Sequence, residues 1–351
     1  MIDSADAQLD DTDRQLLAIL QHQVPLVPRP FEQLGRQLEL AEADVIERLR
    51  RLKDLQGVIR QISAIFDSAA LGYRSVLVAA RYHPTSIDAA ATIINRHPGV
   101  SHNYHRSGPF NLWYTLTLPP DSRLGLEKTV ALLGRLSRAE RSLLLPALKR
   151  YKLSAVLALQ ALADGAEQVC GSQAEPAAVE RRPARLSPAD IPAIRALQLD
   201  LPIEPACFEP LAEAAGCSVE QLLAAARRFL ADGLMRRFAA VLHHQQAGFQ
   251  ANVLAAWAVP EDRADQLGTT AATFEAVSHC YRRPTYPDWP YSVLAMVHGR
   301  SRRQCLAVLD AISQAAGPAQ RCDLWSLRQY KKTRVQYFAG QIEQWEAEHA
   351  G

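Results

Sequence analysis

The sequence predicts an α+β chain made by tandem duplication. Each copy joins a helix-turn-helix (winged-helix-like) unit to a ferredoxin-like βαββαβ-type α/β sandwich. Three observations carry this reading. The halves superpose at a nearly constant offset: Leu9 on Leu186, Phe31 on Phe208, Leu34 on Leu211, Gly57 on Gly233, Arg60 on Arg236, Gly72 on Gly248, Leu148 on Leu327 and Tyr151 on Tyr330. Within each copy the apolar period changes from helical to strand-like partway along. A polar string also recurs, Val-Ser-His-Asn-Tyr-His-Arg at 100–106 and Val-Ser-His-Cys-Tyr-Arg-Arg at 277–283.

Element by element, Leu16, Leu17 and Leu20 give the first helix an apolar face behind an acidic start. Phe31, Leu34 and Leu38 mark a second helix, and Val45, Ile46, Leu49, Leu52 and Leu55 a third that ends at Gly57. Residues 58–66 and 75–82 then read as strands around a Leu71-Gly72 turn. They are followed by a helix at 86–96, strands at 99–105 and 111–118, and a helix at 124–136. The second copy repeats this over 234–315. The expected boundaries are a helix-turn-helix at 1–60, a ferredoxin-like domain at 61–160, a linker at 161–186, a second helix-turn-helix at 187–236 and a second ferredoxin-like domain at 237–340. The linker is Ala-, Gly-, Glu- and Pro-rich with few large apolar residues.

With 351 residues the chain can bury a core in each half, and 39 basic against 37 acidic residues leave a net charge of +2. A protein that coats nucleic acid draws its affinity from phosphate neutralisation and normally shows a basic excess. The third helix of the first copy mixes Arg48, Arg50, Arg51 and Lys53 with Asp44, Glu47 and Asp54. Its counterpart in the second copy is Ala- and Leu-rich, with Arg227 and Arg228. Neither suits base reading, so the helical units are expected to be scaffold without specific DNA binding. Six scattered cysteines without a CxxC signal neither zinc nor a disulfide framework, and reduced thiols fit a cytoplasmic protein. No run is long and apolar enough for a membrane span.

The repeated string places His102 with His279, Tyr104 with Tyr281 and Arg106 with Arg283, a set better suited to a polyanionic ligand than to DNA. A helix-turn-helix followed by such a sandwich resembles the Lrp/AsnC regulators. More specific strings are Val-Ser-His-Asn-Tyr at 100–104, Phe-Asn-Leu-Trp-Tyr-Thr-Leu at 110–116, His-Gln-Gln-Ala-Gly-Phe at 244–249, Ser-His-Cys-Tyr at 278–281 and Trp-Pro-Tyr at 289–291. With these the chain resembles the siroheme decarboxylase family of the NirD/NirL and AhbA/AhbB type over nearly its whole length. The first half is similar to the NirD (AhbA) subunit and the second to the NirL (AhbB) subunit, as in a fusion.

That resemblance implies conversion of siroheme to 12,18-didecarboxysiroheme by loss of two acetate carboxyls, on the way to haem d1 or haem. No cofactor is implied, since the iron belongs to the substrate. His244 and His279 are the expected catalytic pair, one donating the proton and the other positioning the macrocycle or ligating its iron, in an order left open. Arg236, Arg237, His243, Arg282 and Arg283 are expected at the carboxylate rim, because guanidinium binds carboxylate bidentately and stays charged. Phe249, Trp289, Tyr281 and Asn252 are expected along the slot. Tyr104, His105 and Arg106 are either a degenerate second site or a structural remnant. The halves differ at His105 and Arg282, and His243 stands where an arginine is expected. His22, His83, His97 and His298 read as ordinary surface or core histidines, and Trp113 and Tyr114 as core. The halves are expected to form an internal pseudo-dimer, with homodimers or association with homologous subunits left open. The rival readings are a DNA-binding regulator that senses a tetrapyrrole or other small ligand, and a non-catalytic haem-binding or chaperone protein.

Overall fold

A computed structural model describes residues 9–153, 186–242 and 251–349. The first copy runs α1 (Asp11–His22), α2 (Pro30–Leu38), α3 (Glu42–Arg50), β1 (Ile59–Phe66), β2 (Arg74–Arg81), α4 (Ile87–Asn95), β3 (Val100–Arg106), β4 (Leu112–Leu118), α5 (Gly125–Ser137), β5 (Arg141–Leu145) and β6 (Lys149–Leu153). The second runs α6 (Asp190–Leu197), α7 (Glu209–Ala215), α8 (Val219–Ala231), β7 (Met235–Leu242), β8 (Ala251–Ala258), α9 (Glu261–Thr273), β9 (Val277–Arg282), β10 (Val293–Gly299), α10 (Arg302–Ala316) and β11 (Gln320–Lys332), and α11 (Gln341–His349) follows. These elements form two compact units, one holding the helical segments of both copies and the other both α/β segments.

In the helical unit the expected apolar faces are buried: Leu16, Leu17 and Leu20 on α1, Phe31 and Leu34 on α2, and Val45 and Leu49 on α3. Asp10 caps α1 through a reciprocal capping box with Asp13. Gly57 and Gly233 have φ of 59° and 71°, which lets each copy turn sharply from helix to strand without a Cβ clash. The strand that follows requires a correction. Most of residues 58–66 is expected within the first ferredoxin-like domain at 61–160, yet β1 pairs antiparallel with β7 in a separate two-stranded sheet of the helical unit. Burial of Ile62, Ala64 and Phe66 at every second position marks a strand but carries no information about its partner.

The basic residues of the third helices are engaged inside the helical unit. Arg48 and Arg51 meet the buried Asp13 at 2.9 and 2.7 Å. Arg50 donates to the Ile203 carbonyl at 3.0 Å, and Lys53 lies 2.8 Å from Asp200. In the second copy Arg227 donates to the Leu26 carbonyl at 2.7 Å and Arg228 pairs with Asp190.

In the α/β unit each copy is a βαββαβ fold. The nine-stranded sheet has the order β5-β2-β4-β3-β11-β8-β10-β9-β6. β11 is long enough to serve both copies, pairing Gln320–Trp325 with β8 and Ser326–Lys332 with β3. In return, β6 leaves the first copy and pairs with β9 of the second. One face of the first copy packs Val76, Val78 and Leu116 against Ile94, Val130 and Leu133 of its helices. The second copy does the same with Val253, Ala255 and Trp257 against Leu267, Leu309 and Ile312. The helix-free faces share a third core, in which Ala79, Trp113 and Leu145 meet Leu254, Leu294, Leu324 and Trp289.

The exchanged strands are fastened in the same way. Tyr151 donates to Asp265 at 2.5 Å, Lys149 pairs with Asp265 at 2.7 Å, and Lys152 donates to the Phe274 carbonyl at 2.7 Å. In the other copy Tyr330 donates to Asp88, Arg328 pairs with Asp88 at 3.0 Å, and Lys331 donates to the Asn95 carbonyl at 2.8 Å. The Tyr151 ring lies so close over α9 that a Cβ at Gly268 would sit 2.2 Å from it, so only glycine admits it. The C-terminal α11 adds Ile342 and Trp345 to the first core. Its buried Glu346 carboxylate accepts from the Ser122 hydroxyl at 2.5 Å and the Arg123 amide at 2.9 Å, ahead of α5. No described helix is long and apolar enough to cross a membrane.

Candidate functional site

The repeated polar string occupies β3 and β9, and a β-bulge in each strand orients its residues. Val277 pairs with Val297 and His279 with Met296, so Ser278 is an extra residue between adjacent partners. The same shift falls between Val100 and His102, at Ser101. A bulge leaves its residue outside the regular ladder and re-aims side chains. Here it brings the Ser278 hydroxyl to 2.8 Å from His279 Nδ1 and the Ser101 hydroxyl to 2.9 Å from His102 Nδ1.

Beyond the bulge, alternation puts residues two apart on one face. His279 stacks on Tyr281 with ring centroids 6.4 Å apart, and the Arg283 guanidinium lies 4.9 Å over the Tyr281 ring. The first copy reproduces the ladder, with His102 6.4 Å from Tyr104 and Arg106 5.2 Å over Tyr104. Cys280 points the other way into the helix-side core, where burial pushes its thiol up to about 12 and removes it as a nucleophile.

The second ladder ends differently from the sequence expectation, whereas the first fits its structural-remnant alternative. Arg106 is buried and donates to the Leu324 carbonyl at 3.2 Å, and Arg283 donates to the Leu145 carbonyl. Burial pushes both guanidinium groups down to about 10. Each arginine thus ties its ladder to the last sandwich strand of the other copy, Arg106 from a buried position and Arg283 from a half-buried one. Trp289, expected as a flat wall of the slot, is fully buried in the shared core against Phe110 and Trp113. Its size and apolarity, which suggested a ligand surface, are equally those of a core residue.

The remaining candidates are placed as follows. Arg282 pairs with the exposed Glu261 at 2.6 Å. His105 is half-buried opposite Asp88 and Arg328, and burial lowers its pKa. The Asn252 side chain accepts from the Ser326 hydroxyl at 2.6 Å. Arg236 and Arg237 lie on β7 in the helical unit, where Arg236 pairs with Asp67 at 3.0 Å. His243, His244 and Phe249 fall outside the described residues. The structure therefore brings together Ser278, His279, Tyr281 and Arg283, and separately Ser101, His102, Tyr104 and Arg106. Among the described residues no cluster of His, Cys, Asp or Glu is arranged to hold a metal ion.

Three participants, Ser101, Ser278 and His298, were not singled out from the sequence. The serines recur in the motif, but only the bulge shows that they face the histidines. His298, expected to be an ordinary histidine, places Nε2 2.9 Å from the Ser278 hydroxyl. The sequence offered only its place at a strand end close to the aromatic residues 289–291, which names no partner.

Comparison with known proteins agrees with this organisation. The siroheme decarboxylase NirDL-like HTH domain matches residues 13–60 and 190–236, and the AsnC-like ligand binding domain matches 70–152 and 246–331. A siroheme decarboxylase of Hydrogenobacter thermophilus is 32% identical over 334 residues, 94% of this chain and 96% of that protein. The siroheme decarboxylase NirDL subunit of Paracoccus denitrificans is 30% identical over 86% of this chain and 89% of its own length. The crystal structure of the siroheme decarboxylase NirDL in co-complex with an iron-uroporphyrin III analogue superposes with a TM-score of 0.75 at 29% identity, covering 97% of this chain and 99% of that one. With both helical units, both α/β units and the duplication matched from end to end, the chain belongs to the siroheme decarboxylase family of the fused NirDL type.

Proposed function

We propose that this protein is a carboxy-lyase that removes two acetate carboxyls from siroheme to give 12,18-didecarboxysiroheme, with His279 as a proton donor. The observation that carries the role of His279 is the bulge-directed hydrogen bond between the Ser278 hydroxyl and its Nδ1, which fixes the ring. As the bond between the acetate methylene and its carboxyl breaks, carbon dioxide leaves and the electron pair remains on the methylene carbon. His279 adds a proton there and a methyl group results. Electron delocalisation into the macrocycle stabilises the intermediate charge.

His244 is the second proposed histidine, positioning the macrocycle or its iron. Arg236, Arg237 and Arg282 are the proposed carboxylate partners, and the ion pairs of Arg236 with Asp67 and of Arg282 with Glu261 can be exchanged for substrate carboxylates. Arg106 and Arg283 are assigned instead to holding the ladders in place. The first copy's ladder is proposed as a second substrate-facing site, since its Ser101, His102 and Tyr104 share the geometry of the second. The cytoplasm is the proposed compartment, and association with homologous subunits is compatible with each half's likeness to a separate subunit type.

Anaerobic incubation with siroheme followed by mass spectrometry tests the activity. The expected product lacks two carbon dioxide units, and siroheme recovered intact under these conditions refutes the proposal. His279→Ala is expected to lower turnover by about 10²–10⁴-fold, the usual worth of general acid–base help.

A further inference from the structure

We propose that His298 is a positioning residue that fixes the tautomer of His279 through Ser278, and that it does so in the second copy alone. The inference rests on the catalytic reading of His279 given above. The Ser278 hydroxyl lies 2.8 Å from His279 Nδ1, 2.9 Å from His298 Nε2 and 3.4 Å from the Met296 carbonyl. A hydroxyl carries one proton and two lone pairs, so it donates to a single acceptor, and the Met296 carbonyl at 3.4 Å is too distant to hold that proton against His279 Nδ1 at 2.8 Å. When His298 donates its Nε2–H to the oxygen, the serine proton is directed to His279 Nδ1. The His279 proton must then reside on Nε2, the form required of an acid acting from that nitrogen. In the opposite neutral form Nε2 is a lone pair and must first take up a proton, as imidazolium, before it can give one.

The duplication supplies an internal control. The His298 amide donates to the Ala276 carbonyl at 2.9 Å, and the Thr117 amide donates to the Gly99 carbonyl at the same distance, so Thr117 holds the equivalent place in the first copy. Its hydroxyl bonds Ser75 at 2.8 Å. Both copies therefore keep the serine–histidine bond, and they differ in what stands behind the serine. The first copy's His102 lacks a histidine at that place, which makes the two ladders chemically unequal.

The test compares His298→Thr, His298→Gln and His279→Ala. Threonine is the residue the fold already carries at the equivalent position, and the glutamine amide can still donate to Ser278. Decarboxylation kinetics give kcat and KM. Nitrogen-15 NMR of histidine-labelled, substrate-free protein gives the His279 tautomer, its resonances identified by their loss in His279→Ala. H298T is expected to lower kcat at least about tenfold with KM unchanged and to shift His279 away from the Nε2–H form, and H298Q to restore both. Wild-type kcat and an unaltered tautomer in H298T, with H279A inactive, overturn this proposal alone. Full turnover in H279A overturns the catalytic reading beneath it and this proposal with it.

Discussion

Lowering the pH should loosen the α/β unit through one buried imidazole, His97. The ring is fully buried between α4 and α11, its Nδ1 accepts the Gly99 amide at 3.0 Å, and its centroid lies 4.3 Å from that of Trp345. Burial is the main cause of a pKa pushed down to about 3, and the charges of Lys331 on β11 and His349 on α11 add to it. In the unfolded chain the same histidine titrates near 6.5. Between these values the unfolded state binds the extra proton, so folding stability is intact above about pH 6.5 and is lost as pH falls toward 3. From pH 7 to pH 5 the loss from this group alone comes to about 2 kcal/mol. Urea unfolding followed by circular dichroism across that range measures it, with His97→Phe as the comparison. The substitution carries a constant cost from the lost Gly99 acceptor, but it removes the proton-linked slope. Parallel loss of stability in the two proteins would refute the argument, because the slope would then arise elsewhere.

The helical unit should depend on Asp13: Asp13→Asn is expected to cost about 2–3 kcal/mol by breaking charge-assisted bonds to Arg48 and Arg51, seen as a lower thermal midpoint, and an unchanged midpoint would remove the pair from the account. Gly268→Ala should expel the Tyr151 ring and free β6 from β9. Hydrogen exchange then reads faster exchange at the amides of 149–153 than in the rest of the sheet. Against its own promoter region the protein should show only weak, salt-sensitive and sequence-independent binding, with Kd no tighter than about 10⁻⁶ M. Nanomolar, sequence-selective binding in an anisotropy titration would overturn the scaffold reading of the helical units.

The duplication, the helical triplets and the ferredoxin-like units were legible because each rests on local pattern. Leu16, Leu17 and Leu20 repeat at helical spacing and are buried, and Tyr151 and Tyr330, matched in sequence, make equivalent bonds to Asp265 and Asp88. Strand partners were not legible. β1 alternates like a strand of the main sheet, yet its partner is β7, and the dual pairing of β11 depends on contacts from distant sequence. At the candidate site the His, Tyr and Arg of the repeat were visible, but the bulges at Ser101 and Ser278 were not, because a one-residue register shift leaves no mark on composition. The carbonyl bond of Arg283 and the core position of Trp289 were not legible, because a half-buried arginine bonded to a carbonyl and a core tryptophan use the residue types that a ligand pocket also uses.

The exchange of β6 and β11 also governs when the chain can finish folding. Arg106 reaches a carbonyl 218 positions further along the chain, and Tyr151 meets a partner 114 positions away. During synthesis the first copy must therefore wait with β3 as an open edge until residues 320–332 have left the ribosome. Closing such long loops makes folding slow, and an unpaired edge invites pairing with another chain in the interval. A half made alone keeps this edge, and the complementary half, supplied as a separate chain, is the natural molecule to cover it.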